Sequence, residues 1–213
     1  MKRLAWLCAV LSLAMAMPLA VGASSEREWI FSVLLNGKAI GEHRFTLVPT
    51  PEGRRVISDA SFAVKIIGIT AYRYRHHAEE QWRGDCLTAL EASTDDDGKA
   101  SRVRAQAGAD GLVVVTTTGT QPLPVCAMSF AYWSPAIRTQ TQLLNAQTGL
   151  LQPVQVTRMD TGAVDVRGRE TMATRWRISG PASPVDVWYS VDGDWLGLDS
   201  TVAGGRQLSY RLK

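Results

Sequence analysis

The chain has 213 residues, 46% of them hydrophobic, with 23 Lys and Arg against 20 Asp and Glu and a formal net charge of +3. That length suits one domain with a sizeable core. Lys2 and Arg3 carry two of the three net charges, and the only basic run with interleaved aromatics is Tyr72-Arg73-Tyr74-Arg75, so the composition excludes a nucleic-acid partner.

The first segment reads as an address. Lys2 and Arg3 precede an apolar run from Leu4 to Leu19, and Val21-Gly22-Ala23 fits a small-residue cleavage site. This predicts a secretory signal peptide over residues 1–23, a mature domain over 24–213 and a periplasmic protein that is not an integral membrane protein once cleaved. Cys8 lies within the apolar run, which argues against a lipoprotein signal. Two cysteines remain, Cys86 and Cys126, and an even pair in an exported chain predicts a disulfide.

Strands then follow in quick succession. Trp29, Phe31, Val33 and Leu35 alternate, and Asn36-Gly37 supplies the two left-handed residues of a tight hairpin. Gly41 in the returning strand allows a bulge or a close backbone approach. Val56, Ala60, Phe62, Val64 and Ile66 alternate in the third strand, and Ile67-Gly68-Ile69 bends the chain into the fourth. Arg83-Gly84-Asp85 and Asp95-Asp96-Asp97-Gly98 read as turns; the acidic triplet lacks the alternate spacing of a calcium loop.

One helix is predicted. Ser134 is placed as its N-cap, Pro135 as its first residue, Ile137, Leu143 and Leu144 as its apolar residues, and Gly149 as its end. Further strands follow, separated by Asp160-Thr161-Gly162, Pro181 to Pro184, Asp192-Gly193 and Gly204-Gly205. About eleven strands with recurring turn signals predict an all-β fold: a strongly curved antiparallel sheet or incompletely closed barrel with one short helix. An outer-membrane barrel needs a continuous apolar outer face, which the polar residues of the fourth strand do not supply.

The fourth strand carries the candidate site. Alternation puts Tyr72, Tyr74, His76, Ala78, Glu80 and Trp82 on one face and Arg73, Arg75, His77, Glu79 and Gln81 on the other. His76 and His77 therefore point apart and do not share a metal. The first face suits either the wall of a semi-polar cavity or ordinary barrel core. Tyr72, Tyr74, His76, Glu80 and Trp82, with Trp133 near the mouth, are the candidate ligand contacts. His76 and Glu80 lie roughly 13 Å apart along a strand, so acid–base chemistry would need His43 or Asp59 from a neighbour. No nucleophile elbow, HExxH, Walker or dinucleotide motif is present, and no cofactor or metal is expected.

The stretches FSVLLNGKAIGEHRFTL, ITAYRYRHHAEEQWRGDCL, YWSPAIRTQTQLLNAQTG and VWYSVDGDWLGL together resemble an uncharacterised family of exported proteobacterial β-rich proteins of unknown function. The resemblance covers most of the mature chain. This chain departs from it at Ser134, where the family has Asn, and at Ser190, where it has Asp. It implies an envelope β-domain without an assigned active site. In outline the chain is also similar to lipoprotein-carrier-like half-barrels, an analogy at the level of fold. Three functions are carried forward: a periplasmic carrier of a lipid-like or other amphipathic ligand, an envelope protein-interaction module, and an enzyme using His76, Glu80 or His43.

Overall fold

The computed structural model describes residues 25–66 and 69–213. The expected leader and the Ile67-Gly68 bend lie outside the described residues.

Eight strands form an unbroken meander: β1 (Arg27–Leu35), β2 (Lys38–Thr50), β3 (Gly53–Ile66), β4 (Ile69–Arg83), β5 (Cys86–Asp96), β6 (Lys99–Gly108), β7 (Gly111–Thr116) and β8 (Gly119–Leu123). A pair of three-residue strands follows, β9 (Gln142–Leu144) and β10 (Leu151–Pro153). The chain then adds β11 (Gln155–Val166), β12 (Arg169–Ser179), β13 (Val185–Tyr189), β14 (Trp195–Val202) and β15 (Arg206–Leu212).

Strand β15 pairs antiparallel with β1, which joins the two runs into one 13-stranded sheet of order β11-β12-β13-β14-β15-β1-β2-β3-β4-β5-β6-β7-β8. Every neighbouring pair in that order is antiparallel. The sheet is curved and does not close between β8 and β11. At the other end it coils back until Val166 of β11 bridges Leu212 of β15 and Arg167 N–H donates to the Leu212 carbonyl at 2.8 Å.

The turns show why these segments pair. Asn36 and Gly37 have φ of 49° and 76°, and Asp97 and Gly98 have 52° and 89°, the two successive left-handed residues of a tight hairpin. Asn36 does a second job, since its Oδ1 accepts from Gln207 N–H at 2.8 Å and ties this turn to β15. At Gly41, opposite a register shift in β1, a Cβ would come within 2.0 Å of the Ser61 carbonyl oxygen. The expected result for Gly41→Ala is a loss of about 1–3 kcal/mol, because two paired backbones must separate. A lowered urea midpoint with unchanged m-value would show it.

Segment 124–154 crosses the concave face of the sheet and fills most of it. It is tethered at one end by the Cys86–Cys126 disulfide and by Leu87 N–H donating to the Ala127 carbonyl at 3.0 Å. Met128, Ala131, Trp133, Ile137, Leu143 and Leu144 are buried along it. On the far side Tyr189 Oη donates to the Tyr132 carbonyl at 2.7 Å. This plug joins the aromatic core of Trp29, Phe31, Phe45, Trp195 and Tyr210 to the apolar face of β4–β8. A smaller apolar cluster, Val164, Ala173 and Leu196, forms where β11 folds back.

The helix expected from Ser134 to Gly149 is not formed. Only a single 3-10 turn, Pro135–Thr139, follows Ser134, whose side chain makes no capping hydrogen bond. The reason is visible in the spacing. Ile137 is followed by Arg138 to Gln142 before Leu143 and Leu144, so no apolar stripe continues at the helical period. The chain extends instead, and Leu143 and Leu144 are both buried because the plug is covered on both sides. Asn145 Oδ1 then accepts from the N–H groups of Gln147 and Thr148 and turns the chain back. The strand count also exceeds expectation. Strands β8 and β9 were not foreseen, and Asp160-Thr161-Gly162, read as a turn, lies inside β11 at a register shift.

Candidate functional site

Registers across β2–β5 build one wall. Opposed residues of an antiparallel sheet share a face, and three rows result: His43–Ala60–His76–Thr94, Phe45–Ser58–Ala78–Ala92, and Leu47–Val56–Glu80–Leu90. The middle row is made mostly of small side chains. Where the plug passes over Ser58 and Ala78 it does not reach the sheet, and a partly enclosed cavity of about 250 Å³ remains. His43, His76 and Glu80 line it from the sheet, and Ser129, Phe130, Trp133 and Gln152 line it from the plug.

The alternation expected for β4 is present. His76, Ala78, Glu80 and Trp82 are buried, while Arg75, His77 and Arg83 are exposed. The structure brings three of the candidate contacts, His76, Glu80 and Trp133, to the cavity together with His43. The other three lie elsewhere. Tyr72 sits towards the strand's N-terminal end and donates its hydroxyl to Asp96 Oδ1 at 2.7 Å. Tyr74 stacks on Phe62 with ring centroids 5.2 Å apart. Trp82 packs edge-on against Trp133 at 5.3 Å and donates Nε1–H to Glu80 Oε2 at 3.0 Å, so it holds Glu80 from beside it on the same face without lining the cavity.

Ser58 was missed by the sequence reading. The period of β3 puts it on the same face as Val56, Ala60 and Phe62, so alternation alone carried the signal. The plug residues Ser129 and Gln152 had no such signal, because they reach the cavity through an irregular crossing.

The polar groups of the wall are largely satisfied by each other. His43 Nε2 lies 2.7 Å from Ser58 Oγ and its Nδ1 lies 3.3 Å from the Tyr210 hydroxyl. His76 Nδ1 lies 2.9 Å from Thr94 Oγ1. Burial sets their charge states. It lowers His43 to about 3, aided by nearby His76, and lowers His76 to about 4, aided by His77. Burial pushes Glu80 above the ordinary carboxylate range, against the hydrogen bonds from Ser129 and Trp82. All three shifts favour the uncharged form.

These shifts fix the sign of the pH response. Unfolded histidines take up protons near pH 6.5, whereas folded His43 and His76 resist until about 3 and 4. Their contribution to stability is complete above pH 6.5 and is lost as pH falls through that window. Glu80 acts in the opposite sense, because its raised value costs stability as pH rises above the ordinary carboxylate range. Urea titrations are expected to show Glu80→Gln gaining more stability at pH 8 than at pH 5. A gain independent of pH would contradict this reading.

Ser58, His43 and Tyr210 have the outline of a nucleophile, a base and an orienting group. The chemistry does not match the outline. A general base must hold a proton during the reaction, and burial disfavours the His43 imidazolium. The third group is a phenol, which supplies no compensating negative charge. The trio is a hydrogen-bond network that closes one side of the cavity. Among the described residues no cluster of three or more His, Cys, Asp or Glu is placed to hold a metal.

An open antiparallel sheet, coiled at one end and plugged on its concave face, defines a β-barrel-like domain. Residues 31–213 match the family DUF6134, a domain of unknown function, and the chain belongs to that family. Its fold is shared with a crystal structure of a beta-barrel-like protein of the domain of unknown function DUF1849 from Brucella abortus. The two are 11% identical and superpose with a TM-score of 0.62 over 87% of this chain and 94% of that one. No curated protein matches the chain. Among the described residues no helix is long and apolar enough to cross a membrane.

Proposed function

We propose that this domain is a periplasmic binding protein for a small amphipathic molecule, whose apolar part enters the cavity above Ser58 and Ala78. The observation that carries the reading is the cavity itself, about 250 Å³ with Phe45, Val56, Phe130 and Trp133 as apolar wall and a few polar groups at fixed positions. That composition is typical of ligand sites, although their volume is usually ~300–1,000 Å³. The plug thus favours a short chain over the long acyl chains of a lipoprotein carrier. Export rests on the apolar run from Leu4 to Leu19 behind Lys2 and Arg3.

Magnitudes limit what the apolar wall can do. A chain of about eight methylenes contributes ~6 kcal/mol at about 0.8 kcal/mol each. Association costs at least ~4 kcal/mol in lost freedom. The surplus is small, so useful affinity depends on the polar contacts.

The test uses the protein purified from the periplasm and the neutral fluorescent probe N-phenyl-1-naphthylamine. Uptake with a blue-shifted emission is expected, and Ala78→Phe or Ser58→Leu, which fill the cavity from its floor, should abolish it while circular dichroism stays unchanged. Equal uptake by both folded variants would overturn the proposal.

A second reading has one observation of its own. Val113 and Val115 on the outer face of β7 are 42% and 45% exposed, beside the free edge strand β8. An exposed apolar pair next to an open edge suits strand-to-strand docking of an envelope protein. Site-specific crosslinking from position 113 in cells would recover one dominant partner on that reading and none otherwise.

A further inference from the structure

Two amide side chains of the plug line the cavity, Asn145 just past β9 and Gln152 in β10. Each has its oxygen taken out of play. Asn145 Oδ1 accepts from the N–H groups of Gln147 at 2.8 Å and Thr148 at 3.2 Å, which fixes the amide's orientation and leaves Nδ2 as its free end. Gln152 Oε1 is shut in without a partner, so Nε2 is the end it can offer a ligand. A lone carbonyl oxygen is tolerated in an interior more readily than a lone N–H, which favours this orientation. Neither amide nitrogen has a hydrogen-bond partner among the described residues, and each is a donor only. The third open nitrogen is His76 Nε2, which carries the proton when the Thr94 hydroxyl donates to Nδ1. No Lys or Arg lines the cavity.

We propose that the cavity takes an uncharged carbonyl compound, an ester, amide or ketone on a short hydrocarbon chain, whose oxygen accepts from the amide nitrogens of Asn145 and Gln152. This deepens the preceding reading and rests on it. A carbonyl oxygen has two lone pairs and meets donors that otherwise stand unpaired. A carboxylate or phosphate head also accepts, but it would be enclosed without a cation in the wall, which is costly. An ammonium head brings donors to a site whose open positions already donate. The charge states agree with the geometry. Burial disfavours the imidazolium forms of His43 and His76 and pushes Glu80 towards its protonated form, in which a carboxyl donates as well as accepts.

Three probes of similar length separate the head groups: 2-octanone, octanoate and octylammonium. Each is titrated at pH 7.5 against N-phenyl-1-naphthylamine bound to the delipidated protein, and displacement is read by fluorescence. The expected result is that 2-octanone binds at least tenfold more tightly than either charged probe. Two variants then test the donors. Gln152→Met keeps the length of the side chain and removes its amide, and Asn145→Asp keeps the oxygen that caps the turn and removes Nδ2. Each should weaken 2-octanone at least threefold while N-phenyl-1-naphthylamine binds as in the parent; weakening in one alone assigns the contact to that residue. No weakening in either folded variant would overturn the proposal. Equal loss of 2-octanone and N-phenyl-1-naphthylamine would assign both amides a structural role and overturn it as well. Octanoate or octylammonium binding as tightly as 2-octanone in the parent, or 2-octanone failing to displace the bound dye, would overturn the head-group assignment and leave the binding function standing, whether or not the variants fold. Failure of N-phenyl-1-naphthylamine itself to bind, with no binding of the three probes by calorimetry, would overturn both.

Discussion

Trp195→Ala is expected to lower stability by about 3–5 kcal/mol, the range for removing a large buried aromatic side chain. Trp195 is fully buried at the meeting point of three parts of the chain. Its ring centroid lies 4.4 Å from that of Phe31 in β1, 4.9 Å from Phe45 in β2 and 5.7 Å from Tyr132 in the plug. Its Nε1–H donates to the Gly197 carbonyl at 3.0 Å, so truncation leaves both a void and a buried acceptor without its donor. For a domain of this size the loss corresponds to a fall in melting temperature on the order of 10 °C. Thermal unfolding by circular dichroism would check it. A change of only 1–2 °C would mean that the plug and β1 close over the space, and that the aromatic core is less tightly coupled than the ring contacts indicate.

Opening the Cys86–Cys126 bridge is expected to have the second large effect, and to act on the cavity before it acts on the sheet. The bridge closes a loop with a sequence separation of 40, for which the chain-entropy relation gives roughly 4 kcal/mol. The loop contains β5, β6, β7 and β8, and the bridge fixes the start of the plug against the first residue of β5. The paired strands keep their own hydrogen bonds when it opens. The plug loses the covalent end of its anchor, and Ser129, Phe130 and Trp133, which roof the cavity, lie only a few residues beyond Cys126. A Cys86→Ser/Cys126→Ser double variant should therefore show faster hydrogen exchange in residues 124–140 at a denaturant concentration where β2–β4 remain protected. Uniform loss of protection across plug and sheet would show that the two unfold as one unit.

Both effects converge on the plug, and this narrows the functional reading. An empty curved sheet of this size would accept long acyl chains. Here the concave face is occupied by the chain itself, and a small cavity survives over the short side chains Ser58 and Ala78. Burial disfavours the charged forms of its polar members His43, His76 and Glu80, which makes a group of residues that looked suited to acid–base chemistry a poor place to develop charge.

The sequence by itself determined the features that depend on neighbours along the chain. The two-residue pleat separates His76 from His77 and places Ala78, Glu80 and Trp82 inside. The turn pairs Asn36-Gly37 and Asp97-Gly98 demand left-handed backbone and so mark two hairpins. Cys86 and Cys126, the two cysteines beyond the expected leader, form the disulfide. Tertiary structure alone decided the rest. Strand register puts Ser58 opposite Ala78 and His43 in one row with His76 across Ala60, and β15 delivers Tyr210 to His43 from the far end of the chain. The segment after Ser134 lacks an apolar stripe of helical period and takes its extended shape from surfaces that cover it on both sides. Pleat and turn are properties of a few consecutive residues. Register, and what fills a concave face, are set by distant side chains that meet only after folding.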